Sequence, residues 1–256
     1  MIYVTGDCHQ DFRRFSMDCF PEQREMTKED MVIILGDFGG VWNYKGEDRT
    51  ENYWLNWLND KNFTTLFVDG NHECFPRLNS YPEREFCGGR VHEIRPSVFH
   101  LMRGEIFELE GRKFFAFGGA SSHDVEDGIL DPVKDRGKIK RWLYDREERF
   151  RINGVNWWQE ELPSETEMEK GRKNLGQNGG KVDFVLSHAA PQSIVELLQE
   201  SDLEKQHMEA DRLTVYFDRL LMEGLQFERW FFGHYHKNQQ CGKKFICLYK
   251  QIIPVM

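Results

Sequence analysis

The chain predicts an α/β fold built on a largely parallel sheet. Three observations carry the prediction. Short apolar runs rich in Val, Ile and Phe recur along the 256 residues and stop at glycine or polar residues. Such runs mark strands buried on both faces. Amphipathic segments separate several of them, which is the spacing of strand–helix–strand crossovers. At the C-terminal edge of run after run stands a side chain able to hold a cation.

In chain order, Ile2–Thr5 is the first strand, closed by Gly6-Asp7-Cys8-His9, and a short helix with Phe12 and Phe15 on one face follows. Met31 to Leu35 forms the second strand, closed by Gly36-Asp37. A helix around 52–60 sets Trp54, Trp57 and Leu58 at core spacing. Thr64 to Val68 is the third strand, ended by Asp69-Gly70-Asn71-His72-Glu73. Gly70 and Asn71 both tolerate a positive φ and suggest a strained turn.

Val98–Leu101, Glu105–Leu109 and Lys113–Phe117 read as antiparallel strands, the last two joined at Glu110-Gly111. The last runs into Gly118-Gly119-Ala120-Ser121-Ser122-His123-Asp124. From about 120 to 180 the chain is rich in charge and weakly periodic, and reads as an insertion or lid on a single domain spanning 1–256. Within it, Ser164-Glu165-Thr166-Glu167 is a capping box and 176–180 a flexible joint. The parallel pattern resumes with Asp183–Leu186, ended by Ser187-His188. Pro191 opens a helix bearing Ile194, Leu197 and Leu198. A second helix carries Leu213, Phe217, Leu220 and Leu221, with Gly224 as its stop. Arg229–Phe232 ends in Gly233-His234-Tyr235-His236, and strands near 244–249 and 251–255 close the sheet.

Composition narrows the function classes. The net charge of −9 disfavours general attraction to nucleic acid or anionic membrane. No apolar run approaches the roughly 20 residues of a membrane span. The N-terminus shows no basic segment followed by an apolar one, and the six cysteines contain no CxxC pair, so reduced thiols in a cytoplasm are expected. Oligomeric state is not legible.

The strand-end groups are Asp7, His9, Asp37, Asn71, His72, His188, His234 and His236. Open α/β sheets bind ligands at the C-terminal ends of their strands, so groups distant in sequence can converge there. Imidazole, carboxylate and amide oxygen suit borderline metals such as Mn, Fe, Ni or Zn. The set exceeds what one ion needs, and two ions sharing a carboxylate would use it all. His234 and His236 can face one side only if the backbone between them bends.

Taken together, Gly6–His9, Gly36-Asp37-Phe38-Gly39, Gly70-Asn71-His72-Glu73, Ser187-His188-Ala189-Ala190-Pro191 and Gly233–His236 resemble the calcineurin-like metallophosphoesterase superfamily. The resemblance implies a four-layer sandwich, two mixed β-sheets flanked by helices, with a two-metal site. Position by position it implies Asp7, His9 and His236 on one metal, Asn71, His188 and His234 on the other, and Asp37 bridging both. His72 would lie beside the phosphate, orienting it or protonating the leaving oxygen. Two cations about 4 Å apart would share a hydroxide that attacks phosphorus in line, and the carboxylate between them offsets their repulsion.

The implied activity is hydrolysis of a phosphomonoester or phosphodiester on a small molecule or nucleotide. The alternatives are a nuclease or nucleotide phosphodiesterase of the same fold, and a metal-binding scaffold without turnover. A scaffold would be expected to lose ligands, and none of the eight positions is missing.

In the superfamily's protein serine/threonine phosphatases the second motif continues with a phosphate-holding arginine. Here it runs on into Phe38-Gly39-Gly40-Val41-Trp42. The stretch Gly118–Asp124 resembles a motif of bacterial and phage phosphoesterases of unassigned substrate, which brings in His123 as a substrate contact beside Asn71 and His72. Among Arg136, Arg141, Arg149 and Arg151, one could grip phosphate bidentately. Asp69 is a candidate for orienting a ligand histidine. Trp157 and Trp158 are expected to pack the insertion on the core, and Cys8 and Cys74 could make the site sensitive to oxidation.

Overall fold

A computed structural model describes residues 1–145, 147–200 and 209–255. Arg146, part of the charged stretch noted above, lies outside them.

The first sheet begins with strands β1 (Ile2–Thr5), β2 (Met31–Leu35) and β3 (Thr64–Val68), all parallel, with helix α1 (Arg49–Asn59) crossing between the second and third. Asp48 caps α1 by accepting from the amides of Thr50 and Glu51, a contact worth about 1 kcal/mol. The fully buried stripe of α1 is Glu51, Leu55 and Leu58, while Trp54 and Trp57 pack half-buried beside it. A short helix, α2 (Phe75–Leu78), leads to β4 (Glu83–Phe86) and β5 (Gly89–Arg95). Sequence reasoning missed both strands, because β4 is an exposed, charged edge strand and β5, though buried at Val91, His92 and Ile94, is interrupted by Arg90, Glu93 and Arg95, so neither shows the apolar run that betrays a central strand.

Strand β6 (Val98–Leu101) corrects an expectation. It is parallel to β3 and antiparallel to β5, and so belongs to the first sheet. The chain then changes sheets. Strands β7 (Glu105–Leu109) and β8 (Arg112–Phe117) form the expected hairpin, and β8 pairs in parallel with β11 (Phe184–Ser187), which pairs in parallel with β12 (Arg229–Phe232). Strands β13 (Gln239–Cys241) and β14 (Phe245–Cys247) complete this second sheet. The last strand, β15 (Ile253–Pro254), returns to pair with β1, so the two closing strands lie in different sheets. The orders are β15-β1-β2-β3-β6-β5-β4 and β13-β14-β12-β11-β8-β7.

The sheets face each other across a shared core of Ile33, Leu35, Leu66 and Val68 from one side and Phe107, Phe114, Leu186 and Phe231 from the other. Alternate residues point outward. Ile34 and Phe67 pack under α1, Phe12 and Phe15. Phe115, Phe117, Val185, Trp230 and Phe232 pack under α4 (Glu165–Gln177), α5 (Gln192–Glu200) and α6 (Arg212–Met222). This is the expected layering of helices, two mixed sheets and helices. Every central strand is covered on both faces, which explains its unbroken apolar run.

Between β8 and β11 the chain adds a small parallel pair, β9 (Gly128–Leu130) with β10 (Phe150–Ile152), and helix α3 (Arg136–Asp145). The Ser164 capping box opens α4 as anticipated. The stretch 176–180 corrects another expectation: it ends α4 and turns on Gly179 and Gly180 at positive φ, acting as a helix stop rather than a joint. Leu197 is 49% exposed, off the buried face of α5, which runs through Ile194, Val195 and Leu198.

Candidate metal centre

The C-terminal ends of β1, β2, β3, β11 and β12 meet where the two sheets converge, and each delivers its polar residues there within four residues of leaving the strand. The backbone bends to do so. His9, Asp37, His234 and His236 adopt φ of 47°, 44°, 67° and 51°. Each such non-glycine residue costs on the order of 1–3 kcal/mol and persists only where surrounding packing enforces it. This is the bend that lets both imidazoles of the His234–His236 pair face one way. The strain expected at Gly70 and Asn71 is not there, since neither has a positive φ. Gly70 is instead pressed against the site: a Cβ on it would lie 2.1 Å from Asp37 Oδ1.

Both aspartates commit one oxygen to a backbone amide. Asp7 Oδ1 accepts from His234 N at 2.9 Å, and Asp37 Oδ1 accepts from His72 N at 2.9 Å. Asp7 Oδ2 lies 3.1 Å from His236 Nε2 and 3.8 Å from His9 Nε2. Asp37 Oδ2 lies 3.6 Å from His9 Nε2, and Asp37 Oδ1 lies 3.2 Å from His188 Nε2. The His9 and His236 Nε2 atoms are 3.1 Å apart. His188 Nδ1 donates to the Leu35 carbonyl at 2.7 Å, which fixes the ring and turns Nε2 inward. The Asn71 amide nitrogen donates to Ser122 Oγ at 3.3 Å, which holds its side chain.

Potential ligand atoms form three overlapping groups, Asp7 with His9 and His236, His9 with Asp37 and His72, and Asp37 with His188 and His234, each within 4.8 Å. Asp37 belongs to two of them. Asp7 Oδ2, Asn71 Oδ1 and His188 Nε2 are buried and have no hydrogen-bond partner among the described residues. His188 Nε2 is near Asp37 yet not aligned to bond it. Buried polar atoms are rarely left so. Three of them converging with imidazoles and carboxylates is a donor set that fits cations.

The electrostatics agree. Burial alone would raise the Asp37 carboxyl, but the His188, His72 and His9 rings hold it well below the usual range. Burial pushes His188 down, and Asp37 more than offsets this, taking it to about 9. His72 is driven the other way, to about 4, by burial first, with Asp37 opposing and the Arg151 charge adding to the fall. It is a neutral imidazole at physiological pH. Trp42 stacks on it at 5.2 Å between centroids.

A cavity of 390 Å³ opens over the cluster, lined by His9, Asp37, Asn71, His72, His234 and His236 together with His123, Asp124 and Arg151. His123 stands exposed at the rim, its ring 4.4 Å from that of His234. Ser122 and Glu161 escaped sequence reasoning. Ser122 Oγ donates to the buried Glu161 carboxylate at 2.7 Å while accepting from Asn71. The Gly118–Asp124 motif pointed toward Ser122; nothing marked Glu161 among its charged neighbours.

Three expectations are corrected or resolved. Asp69 binds no ligand histidine. It accepts from His100 at 3.0 Å and from Arg103 at 2.9 Å in a buried network behind the site. Trp158 packs with Trp42, Cys74 and Phe75, as expected of a core contact. Cys8 is buried and its thiol is pushed up to about 12 by burial, so it is not a thiolate and oxidation there is disfavoured; Cys74 is raised by burial as well.

A family model described as calcineurin-like phosphoesterase matches residues 1–238. Among curated proteins, the chain is 24% identical to lariat debranching enzyme A of Xenopus laevis, over 92% of this chain and 42% of that protein. It is 22% identical to the lariat debranching enzyme of Homo sapiens over the same shares, and 26% identical to that of Schizosaccharomyces pombe over 57% of this chain and 32% of that protein. The chain thus spans about two-fifths of the length of the first two.

Proposed function

Because this chain belongs to the calcineurin-like phosphoesterase family, we propose that it is a metal-dependent phosphoester hydrolase with a dinuclear centre. The observation that carries the reading is the convergence of orphaned buried atoms, Asp7 Oδ2, Asn71 Oδ1 and His188 Nε2, on one space. Asp7, His9 and His236 would hold one cation and Asn71, His188 and His234 the other, with Asp37 between them. When bound, such a pair supplies Lewis acidity toward phosphate and lowers the pKa of water. Mn, Fe, Zn and Ni all suit the donor set.

The protein's own groups do the rest. His188 is fixed by the Leu35 carbonyl, and Asn71 by Ser122. His72, stacked on Trp42 and within reach of Arg151, would orient the phosphate by hydrogen bonding or protonate the leaving oxygen. Trp42, stacked on His72, packs in turn edge-on against Trp158. The relatives are named for debranching lariats, which favours a phosphodiester over a monoester and keeps a nucleic-acid substrate in view despite the net charge of −9. No helix among the described residues is long and apolar enough to cross a membrane.

The test is turnover of bis-p-nitrophenyl phosphate, p-nitrophenyl phosphate and a branched oligonucleotide by the Mn-loaded protein and by Asp37→Asn, with metal content measured on both. Diester turnover that Asp37→Asn abolishes with loss of metal is expected. Wild-type protein that binds metal but cleaves none of the three would leave the scaffold reading in place.

A further inference from the structure

We propose that Arg151, carried into the site by β10, grips the non-bridging oxygens of the substrate phosphate beside His72, in the role left open by the missing arginine after Asp37. The inference rests on the hydrolase reading above and names a group that neither the family match nor the relatives assign.

Of the four arginines singled out in the 120–180 stretch, Arg136, Arg141 and Arg149 are exposed, and Arg149 pairs with Glu126 in solvent. Arg151 is only 6% exposed, yet it forms part of the cavity wall. Its guanidinium is held from behind: Nε donates to Asp124 Oδ1 at 2.8 Å, Nη2 lies 2.7 Å from Asp124 Oδ2, and Nη1 donates to the Asn156 carbonyl at 3.2 Å. The front edge reaches the site, where Nη2 lies 3.1 Å from His72 Nε2. A buried cation is costly unless paired. This one is paired with a carboxylate that is itself 50% exposed, so the anchor sits at the rim and the charge faces inward.

Asp124 takes the Nε–Nη2 fork and fixes the plane of the group, the edge of Nη2 toward His72 is left for a phosphate oxygen, and the charge persists at any working pH. An oxygen entering between Nη2 and His72 Nε2 would take the place of their mutual contact and bond both. Among the described residues, the cavity lining holds no other arginine or lysine. Gly39 is packed so closely on the turn after His9 that a Cβ would lie 2.6 Å from Gln10 N, so no longer side chain fits there. The Arg151 backbone lies in the β9–β10 pair, opposite Ile129.

The experiment compares wild type, Arg151→Ala and Arg151→Lys, all metal-loaded, by calorimetric titration with inorganic phosphate and by diester kinetics. Metal content and thermal midpoint are measured on each. Arg151→Ala is expected to lose on the order of 10²-fold in kcat/KM and roughly tenfold in phosphate affinity, with metal content unchanged. Added guanidinium should restore part of the loss to Arg151→Ala. Arg151→Lys should recover less than full phosphate affinity, since it keeps charge without the fork. Phosphate affinity and kcat/KM of Arg151→Ala within about threefold of wild type would overturn the proposal. So would a loss that tracks a fall in metal content and does not respond to guanidinium. A wild type that binds phosphate through Arg151 but cleaves no ester would support the grip and sink the hydrolase reading.

Discussion

Gly70→Ala isolates the packing that brings Asp37 and His188 together. Gly70 does not adopt a positive φ, so alanine is conformationally allowed and the substitution tests space alone. The added Cβ would sit 2.1 Å from Asp37 Oδ1, 2.3 Å from Asp37 N and 2.8 Å from His188 Nε2. An ordinary contact starts near 3.4 Å, so the carboxylate must retreat by about 1 Å or the turn must shift as far. Misplacement of that size costs on the order of 10²-fold in rate. Overpacking a buried turn costs a further 1–3 kcal/mol or so of stability. Gly137→Ala in α3 is the matched control, because its Cβ meets nothing within 4 Å. It should leave activity alone and stabilise by up to roughly 1 kcal/mol. The assay is Mn stoichiometry by elemental analysis, diester turnover and thermal midpoint for both variants. If Gly70→Ala keeps its metal and turns over within about threefold of wild type, the turn is compliant and the close-packing argument fails.

Two other outcomes follow from the same geometry. Ser122→Ala removes the acceptor of the Asn71 amide and one of the donors to Glu161, whose other oxygen keeps the backbone amide of residue 122; apparent metal affinity should fall about 10- to 100-fold, read by competition with a chelator, and unchanged affinity would show that Asn71 needs no such support. In the native protein, a thiol alkylating agent at pH 8 should label exposed Cys19 and Cys87 and spare Cys8, whose burial holds the thiol at about 12; mass spectrometry finding Cys8 modified before unfolding would contradict its placement.

The candidate site was more legible in the sequence than the sheets around it, for a physical reason. A strand end followed by Gly-Asp or Gly-His is a local pattern, and a parallel strand always presents that end to the same rim. Asp7, Asp37, Asn71, His188 and His234 could therefore be named from short windows. Sheet membership is not local. Val98–Leu101 and Glu105–Leu109 are adjacent and similar, yet they lie in different sheets, because one pairs with the distant Thr65–Phe67 and the other with its hairpin neighbour Arg112–Ala116. Gly70 shows the same limit at one residue: its composition suggested a turn, while its use is to let Asp37 approach.

What the sequence by itself determined was the inventory of candidate ligating side chains, the alternation of buried strands with helices and the caps that end the helices, all set by steric and hydrogen-bonding rules within a few residues. Only the tertiary structure decided which side chains hold them. Arg151 meets His72 across 79 residues, and Ser122 meets Asn71 across 51. Contacts of that separation leave no periodicity in the chain, because they depend on how two sheets and the 120–180 stretch close on one rim.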